Sequence, residues 1–369
     1  MALLLLLTTA CLVVILTLST VGNGVVLIVY VQEPKLNSII RHHLMSMSVS
    51  DLVSTALTYW MLIVSASLGH WPFGSRACQL YAFTQGFCAF VSVWAATAIA
   101  LERAVSLKVR GKTTSRLRGV VAKTHARLTR CRSVSVAVVW LLALALASPP
   151  LLVGWGRYRL DGVNLTCCFD FRTRRATNRF FVLYLVVGGF VLPLGIFAAS
   201  CVALYRVIVR RRAARRTRQC APMARTANGR PRLRLASAVA ADRGDVWAVV
   251  LVTIMLAVFT AVWLPYAAVA LWAQLAPAAW PAVSGRVVLL VSLLAKASTA
   301  TNPVVYAFCD RSFRRAARHA SHSCARNVTR ARAAVVNGSG GASLRDRLPL
   351  DSRNRMPPTQ ALGRNATAI

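Results

Sequence analysis

Acidic side chains are scarce in this chain: ten Asp and Glu face 45 Lys and Arg among 369 residues, for a formal net charge of +35. Charged residues of both signs make up only 15% of the sequence and hydrophobic ones 56%, a balance that excludes two ordinary soluble domains and describes a polytopic membrane protein. No C-x-x-C pair occurs among the ten cysteines, so zinc and thiol-redox motifs find no support, and most cysteines read as small buried thiols. Internal repeats, a Walker loop, a dinucleotide fingerprint and a zinc-protease motif are also missing, and the function classes they mark lose their support. No catalytic residue and no metal site is assigned.

A basic surplus of this size suggests a nucleic-acid binder until the charges are placed along the chain. Lys and Arg number 2 in 31–43, 10 in 103–133, 12 in 206–244 and 12 in 310–369, and the other nine are Lys296 and eight arginines in the loops between. Rich and poor loops alternate, so the positive-inside rule puts those four segments in the cytoplasm, against anionic lipid head groups. The N-terminus is then extracellular, the C-terminus cytoplasmic, and no nucleic acid is expected. A first hydrophobic run, 2–30, is too long for a cleaved signal peptide and lacks its basic start, so it reads as helix one with no tail ahead of it. Six more follow at 38–68, 75–107, 133–154, 177–209, 243–273 and 287–308. The basic stretch 210–242, with its Pro and Gly, reads as a flexible loop, and the conformation of 106–132 stays open. Residues 1–322 form the membrane domain, and 323–369 read as a disordered tail.

One residue breaks the apolar pattern at depth. Lys296 is the single ionised side chain between residues 287 and 308. An ammonium there costs about 2.5–3.5 kcal/mol on insertion scales, so it needs a partner or a chemical modification. Six residues on, Asn302-Pro303-Val304-Val305-Tyr306 combines a ladder-breaking proline with polar groups suited to a bundle interior. The bland reading of the lysine, a snorkelling stem, does not fit its central position.

A lysine six residues before Asn-Pro-x-x-Tyr in a last membrane helix resembles the opsins, rhodopsin-like G-protein-coupled receptors. Further motifs agree over residues 15–322. Asn23 and Asp51 match the polar-network positions of helices one and two, Glu102-Arg103 the cytoplasmic switch with Ala104 where Tyr is usual, and Trp263-Leu264-Pro265-Tyr266 the helix-six aromatic motif. The loop after helix four, 154–171, is most similar to invertebrate and melanopsin-like members, with an extra thiol at Cys168. Residues 310–315 look like the family's amphipathic eighth helix, with Phe313 inward and Cys324 beyond it as a palmitoylation site.

That resemblance implies an all-α bundle of seven transmembrane helices, a receptor and not an enzyme. Retinal would be held covalently by Lys296 as a protonated Schiff base, flanked by Tyr81, Gln85, Ala89, Phe190, Trp263 and Tyr266. It also implies a Cys78–Cys167 disulfide, a lid ion pair of Arg157 with Asp170, and a switch made of Glu102, Arg103, Asp245, Asn302, Pro303 and Tyr306, with Arg103 paired to Asp245 in the dark. Partners would be a heterotrimeric G protein, arrestin, a receptor kinase and membrane lipid. Tyr81 stands where vertebrate visual opsins carry the counterion and is neutral at physiological pH. Elimination among the ten acids, together with the lid-loop glutamate of other opsins, assigns that role to Asp161. Two competing readings are a retinal photoisomerase and a receptor for a diffusible ligand; Gln85, where amine receptors place an aspartate, speaks against an amine.

Overall fold

The structure is a computed structural model that describes residues 2–34, 36, 40–112, 118–161, 163–220, 231–275, 285–309, 313–321, 326 and 329. Side chains at 2, 107–132, 214–248, 306 and 308–309 fall outside that description. Cys324 and the tail sequons at Asn327, Asn337 and Asn365 lie outside it entirely, and at Asp245 and Tyr306 only the backbone is described.

In chain order the elements are α1 (Ala2–Gln32), α2 (Arg41–Ser54), a π turn (Thr55–Tyr59), α3 (Trp60–Leu68), α4 (Gly74–Lys112), α5 (Arg118–Ala147) and α6 (Pro149–Leu152). A hairpin of β1 (Tyr158–Leu160) and β2 (Cys167–Phe169) comes next. Then follow α7 (Ala176–Val186), a second π turn (Val187–Val191), α8 (Leu192–Cys220), α9 (Pro231–Leu275), α10 (Gly285–Lys296) and α11 (Ser298–Cys309). Six helical runs among the described residues are long and apolar enough to cross a membrane, and Ser133–Ala147 within α5 is a shorter apolar run. Together they make seven spans, which satisfy their own backbone hydrogen bonds as a bilayer requires. Met1–Ala320 forms one compact unit.

α4 is the central post, packing on α2, α5, α8 and both strands. Its buried face, with Val91, Ala95 and Ile99, joins Met47, Phe197, Leu204 and Val252 in the largest core cluster. Outward residues of α1 such as Leu6, Val14, Val21 and Ile28 are exposed, as a lipid-facing helix demands. Polar ties cross the bundle where helices meet: Trp140 Nε1 donates to Ser46 Oγ at 2.7 Å.

Helices reach further than expected. α4 runs on to Lys112 and α5 starts at Arg118, while α8 and α9 take up much of the basic stretch assigned to a loop, leaving 221–230 between them undescribed. Arginine and alanine are strong helix formers, and Pro231 suits a first helical position, so this polar stretch is helical at both ends. The second π turn has a local cause. Pro193 lacks the N–H that would bond the carbonyl of Gly189, and the ladder slips to wider spacing. Residues 313–321 are helical, with Phe313 buried and its ring 5.9 Å from that of Tyr30.

Candidate functional site

The seventh span is not one continuous helix. α10 ends at Lys296 and α11 begins at Ser298. Ala300 N–H turns back to the Ala297 carbonyl at 3.1 Å and leaves the Lys296 carbonyl without its helical partner. Two hydroxyls replace it: Tyr59 donates to that oxygen at 2.7 Å and Thr299 at 3.1 Å. Such a break at membrane depth is tolerated where protein groups satisfy the freed backbone. Asn23 Nδ2 steadies the start of α11 by donating to the Thr299 carbonyl at 2.9 Å.

Lys296 lies on the wall of a cavity of about 140 Å³, together with Gln85, Ala89, Phe190, Trp263 and Tyr266. The expected pocket residues are thus gathered around the amine, with one exception. Tyr81 stands behind the wall, fully buried, where its oxygen accepts the Thr166 hydroxyl at 3.0 Å. Gln85 crosses from α4 to the first π turn, accepting from Ser54 Oγ at 3.0 Å and donating to Thr58 Oγ1 at 2.8 Å. Aromatic edges set the far side: the rings of Trp263 and Tyr266 are 6.4 Å apart at 89°, and Phe190 packs on Phe259 at 5.8 Å. Phe169, Cys168, Ser292 and Thr299 also line the space.

The β hairpin closes one end. A disulfide joins Cys167 to Cys78, Cα atoms 5.4 Å apart, and fixes β2 to α4. Cys168 borders the cavity together with its strand neighbours Cys167 and Phe169. Burial pushes its thiol up to about 12, Asp161 adding to the rise and Lys296 opposing it. Asp161 is 3% exposed, and its Oδ1 accepts the N–H groups of Val163, Leu165 and Thr166 at 3.3, 3.1 and 3.5 Å. Its Oδ2 is buried with no hydrogen-bond partner among the described residues. Burial raises this carboxyl above the usual range, the backbone donors and the charge of Lys296 pulling against the rise. No ion pair joins Asp161 to Lys296 among the described side chains; they interact across a gap.

The lid ion pair differs from expectation. Asp170 pairs with Arg159, Nη1 to Oδ2 at 3.6 Å, whereas Arg157 meets Asp170 through the backbone, its carbonyl accepting the Asp170 N–H at 2.8 Å. Residues two apart on a strand share a face, so the sequence admitted either arginine. Asp170 also accepts Thr173 Oγ1 at 2.6 Å and the N–H groups of Arg172 and Thr173, both at 3.0 Å. Burial pushes this carboxyl up, but those donors with Arg159 outweigh it and hold the group below its ordinary value.

Asp51 and Ser92 also line the cavity, and Asp51 accepts Ser92 Oγ at 2.8 Å and Asn302 Nδ2 at 3.1 Å, tying α2, α4 and α11 together. Asn23, expected in the same network, bonds instead to Ser19 and Thr299. Pro303, Cβ 2.8 Å from where a side chain on Gly22 would begin, holds α11 close to α1. Glu102 meets His43 of α2 at 3.3 Å. The pairing of Arg103 with Asp245 falls outside the described side chains. Tyr59 is the chief residue that sequence reasoning missed, and the polar stripe Ser54, Thr55 and Thr58 was the signal that this part of the second span faces the bundle interior.

With this geometry the class is defined. Residues 22–306 match the family described as 7 transmembrane receptor (rhodopsin family), and the chain belongs to it. Among curated proteins it is similar to a Gq-coupled rhodopsin of Mizuhopecten yessoensis, 30% identical over 81% of this chain and 56% of the relative. It is also similar to Opsin-3 of Mus musculus, 29% identical over 80% of this chain and 65% of the relative. Squid rhodopsin shares the fold, with a TM-score of 0.69 and 24% identity over 84% of this chain and 83% of the other. The chain therefore spans little more than half to two thirds of the length of these curated relatives.

Proposed function

We propose that the protein is a light-sensing G-protein-coupled receptor that holds retinal on Lys296, with Asp161 as counterion. One observation carries the reading: an amine at a helix break, in an apolar cavity, facing a lid whose buried carboxylate keeps one oxygen unpartnered. An apolar aldehyde suits this donor set: the neutral amine would condense with it, releasing water, and the carboxylate would offset the proton then carried by the imine nitrogen. Bound retinal supplies light absorption and the change of shape that follows. Trp263 and Tyr266 receive that change, α9 carries it past Pro265, and Asp51 with Asn302 relays it toward Glu102 and Arg103.

The lid lies on the extracellular side and the four basic segments face the cytoplasm, where the G protein, arrestin and a receptor kinase bind. The Gq-coupled relative favours the same G-protein class. Adding retinal to the purified chain yields absorption beyond the aromatic band, and illumination then stimulates nucleotide exchange on a G protein. Lys296→Ala abolishes both, and borohydride reduction leaves retinyl mass on the peptide holding Lys296. That mass on another peptide sinks the assignment, and visible absorption without G-protein activation favours a photoisomerase.

A further inference from the structure

At the end of the bundle away from the lid, three helices meet on one ring. His43, in the first turn of α2, is 1% exposed, and its Nε2 lies 2.9 Å from Ser135 Oγ on α5 and 3.3 Å from Glu102 Oε1 on α4. Nδ1 of the ring and Oε2 of Glu102 are both buried without a hydrogen-bond partner among the described residues. An ionised carboxylate can only accept, so the tautomer consistent with both contacts carries its proton on Nε2 and shares it between Glu102 and Ser135. Glu102 is therefore held through one oxygen, by a ring anchored to a third helix. Among the described side chains, other charged groups near that end of α2 and its neighbours include Arg41, which donates to the Tyr30 carbonyl at 3.0 Å, Glu33, which meets His319 at 3.4 Å, and Arg103.

We infer that His43 is a positioning residue for the Glu102–Arg103 switch, tying the Glu102 carboxylate to α2 and α5 in the inactive arrangement. This rests on the proposed G-protein function. An imidazole at a wholly buried helix position costs desolvation unless its contacts hold, and here the contact it keeps is with the switch acid. Moving the end of α4 relative to α2 or α5 stretches a contact already 3.3 Å long, so the clasp favours the state in which these helices stay together. No apolar residue at position 43 could do this, although it would pack at least as well.

The test is G-protein nucleotide exchange in darkness, measured on retinal-loaded receptor in lipid nanodiscs, with light-stimulated exchange by the parent as the check on the underlying function. His43→Phe fills the space without a donor and raises dark exchange about tenfold, the worth of a hydrogen bond to a charged group. His43→Gln, which restores an N–H, returns it toward the parent. Ser135→Ala, which spares the ring and removes one anchor, raises it about threefold and serves if His43→Phe does not fold. Placed on Glu102→Gln, His43→Phe adds less than about twofold, a non-additivity that packing alone would not produce. Equal effects of His43→Phe in both backgrounds, or parental dark exchange in folded His43→Phe and Ser135→Ala, overturn the inference. A parent that shows no light-stimulated exchange fails the function itself and takes this inference with it.

Discussion

Asp161 follows β1 and Asp170 follows β2 of the same hairpin, yet burial governs the first and hydrogen bonding the second. Asp170 sits below its ordinary pKa, so its contribution to lid stability is full above the unfolded-state value and fades as pH falls through the folded one. Acidification below the usual carboxylate range should therefore lower the amide protection factors of Thr173 and Asn178, measured against the intrinsic exchange rate at each pH, and Asp170→Asn should remove that pH dependence. Protection factors that are flat with pH in the parent refute the assignment. For Asp161 the sign is opposite: raised by burial, it stabilises while protonated and loses that contribution as pH rises through its folded value. A permanent cation on Lys296 reverses the preference, since the unpartnered Oδ2 then faces an opposite charge. Asp161→Asn should consequently lower the proton affinity of the attached nitrogen and move absorption into the ultraviolet near neutral pH, while Asp161→Glu keeps it visible. Parental titration in the Asn variant removes Asp161 from the counterion role.

Element by element, the pocket depends on places where helices are not regular. The break after Lys296 is stabilised by Tyr59, and Tyr59→Phe should cost about 1 kcal/mol, read as a lower melting temperature with absorption retained. In the second π turn a Cβ on Gly189 would run into the Phe90 ring, which lines the same cavity. Gly189→Ala should thus destabilise by about 1–3 kcal/mol or push Phe90 inward and slow retinal uptake, with Phe90→Leu as the rescue. Unchanged uptake and melting would show that the ring has room. Lys296, the two proline motifs and the spans themselves were legible in the sequence, because a buried charge and long apolar runs each admit few physical readings. The break was not, since it hangs on Tyr59, which is remote in the chain, whereas the second π turn has a local signal in Pro193. Arg159 rather than Arg157 facing Asp170 was undecidable for a simpler reason, a shared strand face. The helical ends of α8 and α9 are legible in principle in Arg and Ala, but the Pro and Gly of the same polar stretch favour a flexible loop.

For the molecule as a whole, the decisive quantity is where its positive charge lies relative to the bilayer. Four segments hold 36 of the 45 Lys and Arg, and a membrane that follows the positive-inside rule keeps all four on one side. On the other side stands the lid, with Asn164 exposed at its tip in a left-handed conformation (φ 57°). The Asn164-Leu165-Thr166 sequon is therefore open at its asparagine, while Thr166 is buried with its hydroxyl on Tyr81. Asn327, Asn337 and Asn365 also begin sequons, and the proposed orientation keeps them from the lumenal transferase. Expression in a glycosylating cell should then leave those three bare, and any glycosidase-sensitive gel shift should vanish in Asn164→Gln alone. This outcome depends on the orientation and not on light, retinal or a G protein, so it separates errors of topology from errors of function. Sugar on Asn327 would place the tail and the Glu102–Arg103 end of the bundle outside the cell, where no heterotrimeric G protein could reach them, and the receptor reading would fall even with a fully loaded pocket.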